Sequence, residues 1–126
     1  MIQILLHSSK TMRPPESAQL PLGTPRLLGD AQHLVDTMRV TSPDVVARLM
    51  KLSNAKAHEV QQLYANWSAN PKQQTPAIDT FVGDIYSGLQ AQTWSDDDRH
   101  DAHQRLLILS GLYGALRACD GVIALS

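Results

Sequence analysis

The chain opens on a mostly apolar run, Ile2-Gln3-Ile4-Leu5-Leu6, that passes at once into His7-Ser8-Ser9-Lys10-Thr11. A short apolar run ending in polar residues predicts a buried first strand over residues 2–6 emptying into a polar loop. Pro14, Pro15, Pro21 and Gly23 break any regular element over residues 12–23, so that stretch reads as loop. Thr24-Pro25 supplies an N-cap and a proline for the first helical position. Leu27, Leu28, Ala31, Leu34, Val35 and Met38 then recur at near-helical spacing, which predicts a helix over about 25–39. Ser42-Pro43 repeats the start signal ahead of Val45, Val46, Leu49 and Met50, and Ser53 caps a third helix running through Ala57, Val60, Leu63, Tyr64 and Trp67. The second and third helices are thus joined by a tight turn at Lys51-Leu52-Ser53.

Residues 70–76 are polar and bounded by Pro71 and Pro76, the pattern of a boundary between structural blocks. In Gly83-Asp84-Ile85-Tyr86-Ser87-Gly88-Leu89 the two glycines weaken either a strand or a helix, so a turn or broken element is expected. Ser95 before Asp96-Asp97-Asp98 is a strong helix start, because a serine oxygen takes a free amide and carboxylates favour the positive end of the dipole; the helix runs over about 96–104. Leu106-Leu107-Ile108-Leu109 predicts a second buried strand, followed by a turn over 111–114 and a short helix containing Leu116 and Arg117. The fold class implied is α/β, helix-rich with a small mixed sheet. A chain of 126 residues accommodates one domain at most, burying about two-thirds of its unfolded surface.

Composition sharpens this picture in a few places. At 43% hydrophobic and 18% charged residues the chain is globular rather than disordered. Its first apolar run is too short to span a membrane, and Lys10 and Arg13 follow it rather than precede it, the wrong order for a signal peptide. No membrane partner is expected. The single cysteine, Cys119, excludes an intrachain disulfide framework and an all-cysteine zinc site and fits a reducing compartment, so the cytosol is the expected location. Charge is unevenly placed: residues 1–72 hold eight Lys/Arg against five Asp/Glu, and residues 73–126 hold three against seven. The first part can therefore face a weakly held anionic partner, well short of a strongly basic nucleic-acid domain.

Candidate chemistry lies in short polar motifs. Lys10, flanked by Ser8, Ser9 and Thr11, offers a cation, hydroxyls and loop amides to a phosphate or carboxylate, although the glycine pattern of a phosphate loop is missing and an exposed lysine in a polar loop is the plainer reading. Asp84 and Tyr86 stand between glycines, suited to substrate positioning or a proton relay, or to a structural turn. Ser110-Gly111-Leu112-Tyr113-Gly114 with Arg117 follows an apolar run, where sites of α/β sheets often lie, but it is not a Gly-x-Ser-x-Gly elbow. His100 and His103 with Asp96 and Asp97 are better read as a solvated helix face than as metal ligands, and no metal is assigned. Cys119 is read as inert and partly buried. Arg39, Arg48, Lys51 and Lys56 surround the turn between the second and third helices, opposed by Asp44, and present cations to a DNA backbone or simply to solvent.

Four of these stretches share a resemblance. Lys10-Thr11 after the first strand, Leu49-Met50-x-Leu52-Ser53, Gly83-Asp84-Ile85-Tyr86-Ser87-Gly88-Leu89-Gln90-Ala91 and Leu109-Ser110-Gly111-Leu112-Tyr113-Gly114-Ala115-Leu116-Arg117 resemble the YaaA peroxide-stress family in order and separation. The likeness covers nearly all of the chain but about the first half of a typical member. It implies an incomplete half of a larger single-domain α/β fold with a positively charged cleft, and association with DNA binding and with limiting intracellular iron during peroxide stress. It would place Lys10, Thr11, Asp84, Tyr86, Ser110, Tyr113 and Arg117 at the cleft, without assigning their roles. The helix–hairpin–helix turn linked to the family usually carries a glycine, and Lys51-Leu52-Ser53 has none. The expected partners are duplex DNA or a small anionic ligand, with self-association through the edge of an incomplete sheet. No cofactor is named by these residues. The competing readings are an enzyme acting on a phosphorylated or carboxylated small molecule, and an inactive relic.

Overall fold

The computed structural model describes residues 2–17 and 19–124; the start of the first apolar run at Met1, the loop expectation at Ala18, and Leu125-Ser126 lie outside it. Among the described residues, seven short strands and six α-helices follow one another in an α/β arrangement of small mixed sheets. The main sheet has the order β1-β5-β6. Strand β1 (Ile4–His7) lies parallel to β5 (Leu106–Ser110), and β5 turns back into the antiparallel β6 (Gly114–Arg117). Two antiparallel ribbons flank it: β2 (Thr11–Met12) with β4 (Phe81–Val82), and β3 (Thr75–Pro76) with β7 (Gly121–Val122).

The helices α1 (Leu28–Val40), α2 (Pro43–Met50) and α3 (Asn54–Asn66) follow one another, then α4 (Ala77–Thr80), α5 (Asp84–Leu89) and α6 (Asp96–Arg105) alternate with strands. Ser42 accepts the Val45 amide at 3.4 Å, Ser53 that of Lys56 at 3.2 Å and Ser95 that of Asp98 at 3.1 Å, so each serine caps the helix its position predicts. The Thr24-Pro25 signal acts differently. It opens a turn, with the Leu28 amide on the Pro25 carbonyl at 3.2 Å, and α1 begins only at Leu28, without a side-chain cap.

Period-two alternation divides the main sheet into two faces. Leu106, Ile108 and Leu116 point into a core shared with Ala31 and Val35 of α1, Trp67, Phe81, Tyr86 and Tyr113. The other face carries Leu5, His7, Leu107, Leu109 and Ala115, and it is open: Leu5 is 61% and Leu109 45% exposed. The first strand is thus an edge strand with one uncovered face, which corrects the expectation of a buried one. A second, smaller core of Val46, Ala47 and Ala57, lined by Met38 and Val60, holds α2 against α3.

Three further expectations change. The short helix expected at Leu116 and Arg117 is strand β6, because the turn at 111–113 folds the chain back on β5 in register, Ile108 against Leu116. Asp84–Leu89 form an intact helix, α5, entered through Gly83, whose φ of 134° lies in a region that L side chains rarely adopt. The proline-bounded stretch 70–76 is not a boundary: Thr75-Pro76 pairs with β7, the Ala77 amide bonds the Asp120 carbonyl at 2.9 Å, and Trp67 just before it is buried and donates to the Tyr113 hydroxyl at 2.9 Å.

Candidate functional site

The carboxyl ends of the parallel pair β1 and β5 gather most of the motif residues. The Ser8 amide bonds the Leu109 carbonyl at 3.2 Å, which sets the start of the Lys10 loop beside Ser110. The ribbon β2/β4 then pairs Thr11 with Val82, the residue just before Gly83 and Asp84. Only 3.8 Å separates Ser9 Cβ from the place a side chain would take on Gly83. The loop and the start of α5 are therefore close neighbours. Ser9 donates to the Thr11 carbonyl at 2.6 Å, holding the bend that carries Lys10. Lys10, Thr11 and Asp84 are exposed and Ser110 half-buried, and Lys10 and Asp84 have no ion-pair partner among the described residues.

Tyr86 secures this edge from beneath. Its ring is buried and stacked on Phe81 with centroids 5.8 Å apart, and its hydroxyl donates to the His7 carbonyl at the end of β1. Burial pushes its pKa up to about 12, so the phenol stays protonated at neutral pH and holds its hydrogen bond to the His7 carbonyl. The Ser110 hydroxyl accepts the Tyr113 amide at 3.1 Å and shapes the β5–β6 turn.

Two motif residues lie elsewhere. Tyr113 is 1% exposed, its hydroxyl accepting from Trp67 Nε1 and from the Ile123 amide at 3.2 Å; it is a core residue and does not face a cleft. Arg117 pairs with Leu107 in the ladder, at the far end of β6 from Ser110, so it sits at the opposite end of the sheet from Lys10. The Arg117 guanidinium binds the buried Asp120 carboxylate, 3.0 Å away, and the Thr24 carbonyl at 2.8 Å, and the Arg117 amide takes the other Asp120 oxygen at 2.8 Å.

Around this opposite end, Gly23 passes so close to Asp120 and His103 that a Cβ there would lie 2.9 Å from His103 Cε1. His103 Nδ1 accepts the Cys119 amide at 3.0 Å, which fixes the neutral tautomer with its proton on Nε2. Burial lowers the His103 pKa, with Asp120 opposing that shift. Burial likewise raises the Cys119 thiol, in line with an inert cysteine. Sequence reasoning missed the buried pair Asp79–Arg99, a two-pronged contact with distances of 2.7 and 3.2 Å that also reaches the Ala91 carbonyl. Asp79 sits in a one-turn helix, and neither periodicity nor a motif marks it. No cluster of His, Cys, Asp and Glu among the described residues has the arrangement of a metal site.

The four basic residues of the helical arm also divide. Arg39 caps α3: its guanidinium donates to the carbonyls of Tyr64 at 2.9 Å and Trp67 at 2.6 Å, where the helix dipole is negative. That cation is committed to the fold rather than free for a phosphate. Lys56 lies 3.3 Å from Glu59 in an exposed pair, while Arg48 and Lys51 have no ion-pair partner among the described residues. Lys51 takes the left-handed conformation, φ 56°, that a hairpin glycine normally supplies, and the Leu52 amide closes the turn on the Ala47 carbonyl at 2.8 Å. Lys51 holds this left-handed position although it is not a glycine.

These features define an α/β protein in which, among the described residues, Lys10 and Asp84 near the carboxyl ends of a parallel strand pair and Arg48 and Lys51 at the α2–α3 turn have no ion-pair partner. A family model described as peroxide stress protein YaaA matches residues 2–124, and the chain belongs to that family. It is similar to a UPF0246 protein of Salinispora tropica, 44% identical over 119 residues, an alignment covering 94% of this chain and 45% of that relative. The chain thus spans less than half the length of this relative. No helix among the described residues is long and apolar enough to cross a membrane.

Proposed function

We propose that this chain serves the response to peroxide, limiting iron-dependent damage and binding duplex DNA through the α2–α3 hairpin. The supporting observation is the hairpin turn itself, where Arg48 and Lys51 project uncommitted charge beside the first amides of α3. Such a turn presents point charges and N–H donors to phosphate oxygens, contacts that carry affinity but little sequence information. With two to three phosphate contacts, log K should fall against log salt with a slope of roughly −2 to −3. Titrating a labelled duplex at several salt concentrations tests this. Lys51→Gly is the informative variant, because it removes the cation while relieving about 1 kcal/mol of left-handed strain. Binding that weakens in a more stable protein supports the reading, and binding unchanged in both Lys51→Gly and Lys51→Glu removes the hairpin from it.

A second reading is favoured by one observation, the contacts that set the Lys10 loop beside the end of β5 at Ser110 and close to the start of α5 at Asp84. A cation, a carboxylate and a hydroxyl at the carboxyl ends of parallel strands suit a small phosphorylated or carboxylated ligand. Arg117, Tyr113 and a proton-relaying Tyr86 have no part in this version.

A further inference from the structure

We infer that a groove on the outward face of the β2/β4 ribbon is a binding site for a mononucleotide, separate from the β1/β5 edge. Directly paired residues of a ribbon share a face, and the pair Met12 and Phe81 packs against the core. Alternation therefore sends the pair Thr11 and Val82 to the opposite side, together with Arg13, whose amide continues the ribbon on the Thr80 carbonyl at 2.8 Å. Two cavities open there, of about 480 and 520 Å³. Residues 13–17 line the first, and α5 with the 3-10 turn Ala91–Thr93 lines the second. Asp79, Val82 and Gln92 line both, so the two form one continuous groove. Each is of the size of small-molecule sites, roughly 300–1,000 Å³.

The chemistry changes along the groove. In the first cavity Arg13 is exposed and has no ion-pair partner among the described residues, which suits a phosphate. Asp79 stands where the cavities join. Its charge is already balanced by the buried Arg99, 2.7 Å away, so it accepts sugar hydroxyls without driving off the phosphate beside them. The second cavity has an apolar floor of Ile78, Phe81 and Ala91, all buried, and carboxamides at Gln90 and Gln92. A flat base fits such a floor, and a carboxamide, donor and acceptor at once, matches the edge of adenine. Cation, acceptor and carboxamides thus follow one another as the phosphate, sugar and base of a nucleoside monophosphate do. Glu16, exposed beside the first cavity, opposes the phosphate and tempers the affinity. Among the described residues lining the groove there is none of Lys10, Asp84, Ser110, Arg48 or Lys51, so this site is distinct from the β1/β5 edge and from the α2–α3 hairpin.

The test is calorimetric titration of the 126-residue chain with AMP, adenosine, ribose 5-phosphate and inorganic phosphate. AMP should bind best. Adenosine, which lacks the anion, and ribose 5-phosphate, which lacks the base, should each bind roughly tenfold more weakly or worse. Arg13→Gln should lower the affinity for AMP by roughly tenfold and leave that for adenosine unchanged, and Glu16→Gln should raise the affinity for AMP. Gln92→Trp, at an exposed position, fills the junction and should abolish binding of both while keeping the parent melting temperature. Lys10→Ala should bind AMP as the parent does. The inference is overturned if AMP fails to bind, if inorganic phosphate binds as tightly, or if AMP binding is lost in Lys10→Ala and kept in Arg13→Gln. An oligoadenylate strand that binds where AMP does not overturns it as well, since the groove would then take a nucleotide only within a strand.

Discussion

The two ends of the β1–β5–β6 sheet use the same residue types to opposite effect. At one end Lys10, Asp84 and Ser110 stand near glycine, and the two charged groups are exposed with no ion-pair partner among the described residues; at the other, Asp120 and His103 crowd Gly23, and they and Arg117 are all bonded. What separates a candidate site from a structural knot is therefore the supply of partners. Asp120 shows the structural case: fully buried, it holds the amide and the guanidinium of Arg117 and locks the returning 23–24 segment. Asp120→Ala leaves a half-buried cation and an amide without their acceptor, and should cost about 3 kcal/mol, lowering the melting temperature by roughly 10 °C. Asp84→Ala at the other end should fall within about 0.5 kcal/mol of the parent. Comparable losses in thermal unfolding would erase the distinction between the two ends.

A smaller effect tests the knot by pH. His103 faces Asp120, which favours its charged form, and Arg117, His100 and Arg26, which disfavour it; burial dominates and its folded pKa lies below that of the unfolded chain. The folded state therefore binds fewer protons than the unfolded one. The stability tied to neutral His103 is complete above the unfolded pKa of about 6.5 and is lost as pH falls from there through the lowered folded value. Protonation also places a hydrogen on Nδ1, against the Cys119 amide. Melting temperature should drop between pH 7.5 and pH 5. His103→Asn, which keeps an acceptor near the Nδ1 position and cannot titrate, should flatten that drop, whereas His100→Asn on the exposed face should not. A profile unchanged in His103→Asn would assign the acid sensitivity elsewhere.

How much of this was legible in the sequence follows the range of each interaction. Local signals read correctly: Ser42, Ser53 and Ser95 cap their helices because capping needs only residues three apart, and the apolar run ending at Leu109 is a strand. Long-range pairing was invisible. That Arg117 lies on a strand, far from Lys10, depends on β6 folding back along β5, and nothing in Ala115-Leu116-Arg117 distinguishes a helix start from a two-sided strand. The two-residue strands owe their conformation to partners far away in the chain, as Thr11 does to Val82. The cleft motif Gly83–Leu89 was located by its glycines, yet its helix emerged only because a positive φ at Gly83 turns the chain into α5. Arg39 looked like a phosphate ligand for the same reason: its acceptors belong to the far end of another helix.

The smallest predicted effect separates the ends most directly, because it asks which cation is free to meet an anion. Sulfate or phosphate bound only by the folded state raises stability by mass action, about 1.4 kcal/mol when the anion is present at ten times its dissociation constant. At the carboxyl end Lys10 has no ion-pair partner among the described residues to surrender, so binding costs little beyond ordering its side chain; at the other end Arg117 would have to leave a buried carboxylate. The melting temperature should thus rise by a few degrees with added sulfate, and Lys10→Ala should abolish the rise while leaving the anion-free melting temperature unchanged. Arg117→Gln should do the reverse, lowering the starting point but keeping the rise. Asp84→Asn should enlarge it, since the Asp84 carboxylate repels an anion held at Lys10. An equal rise in Lys10→Ala and the parent would take the anion away from the β1/β5 edge, and an anion effect lost only in Arg117→Gln would place it in the knot instead.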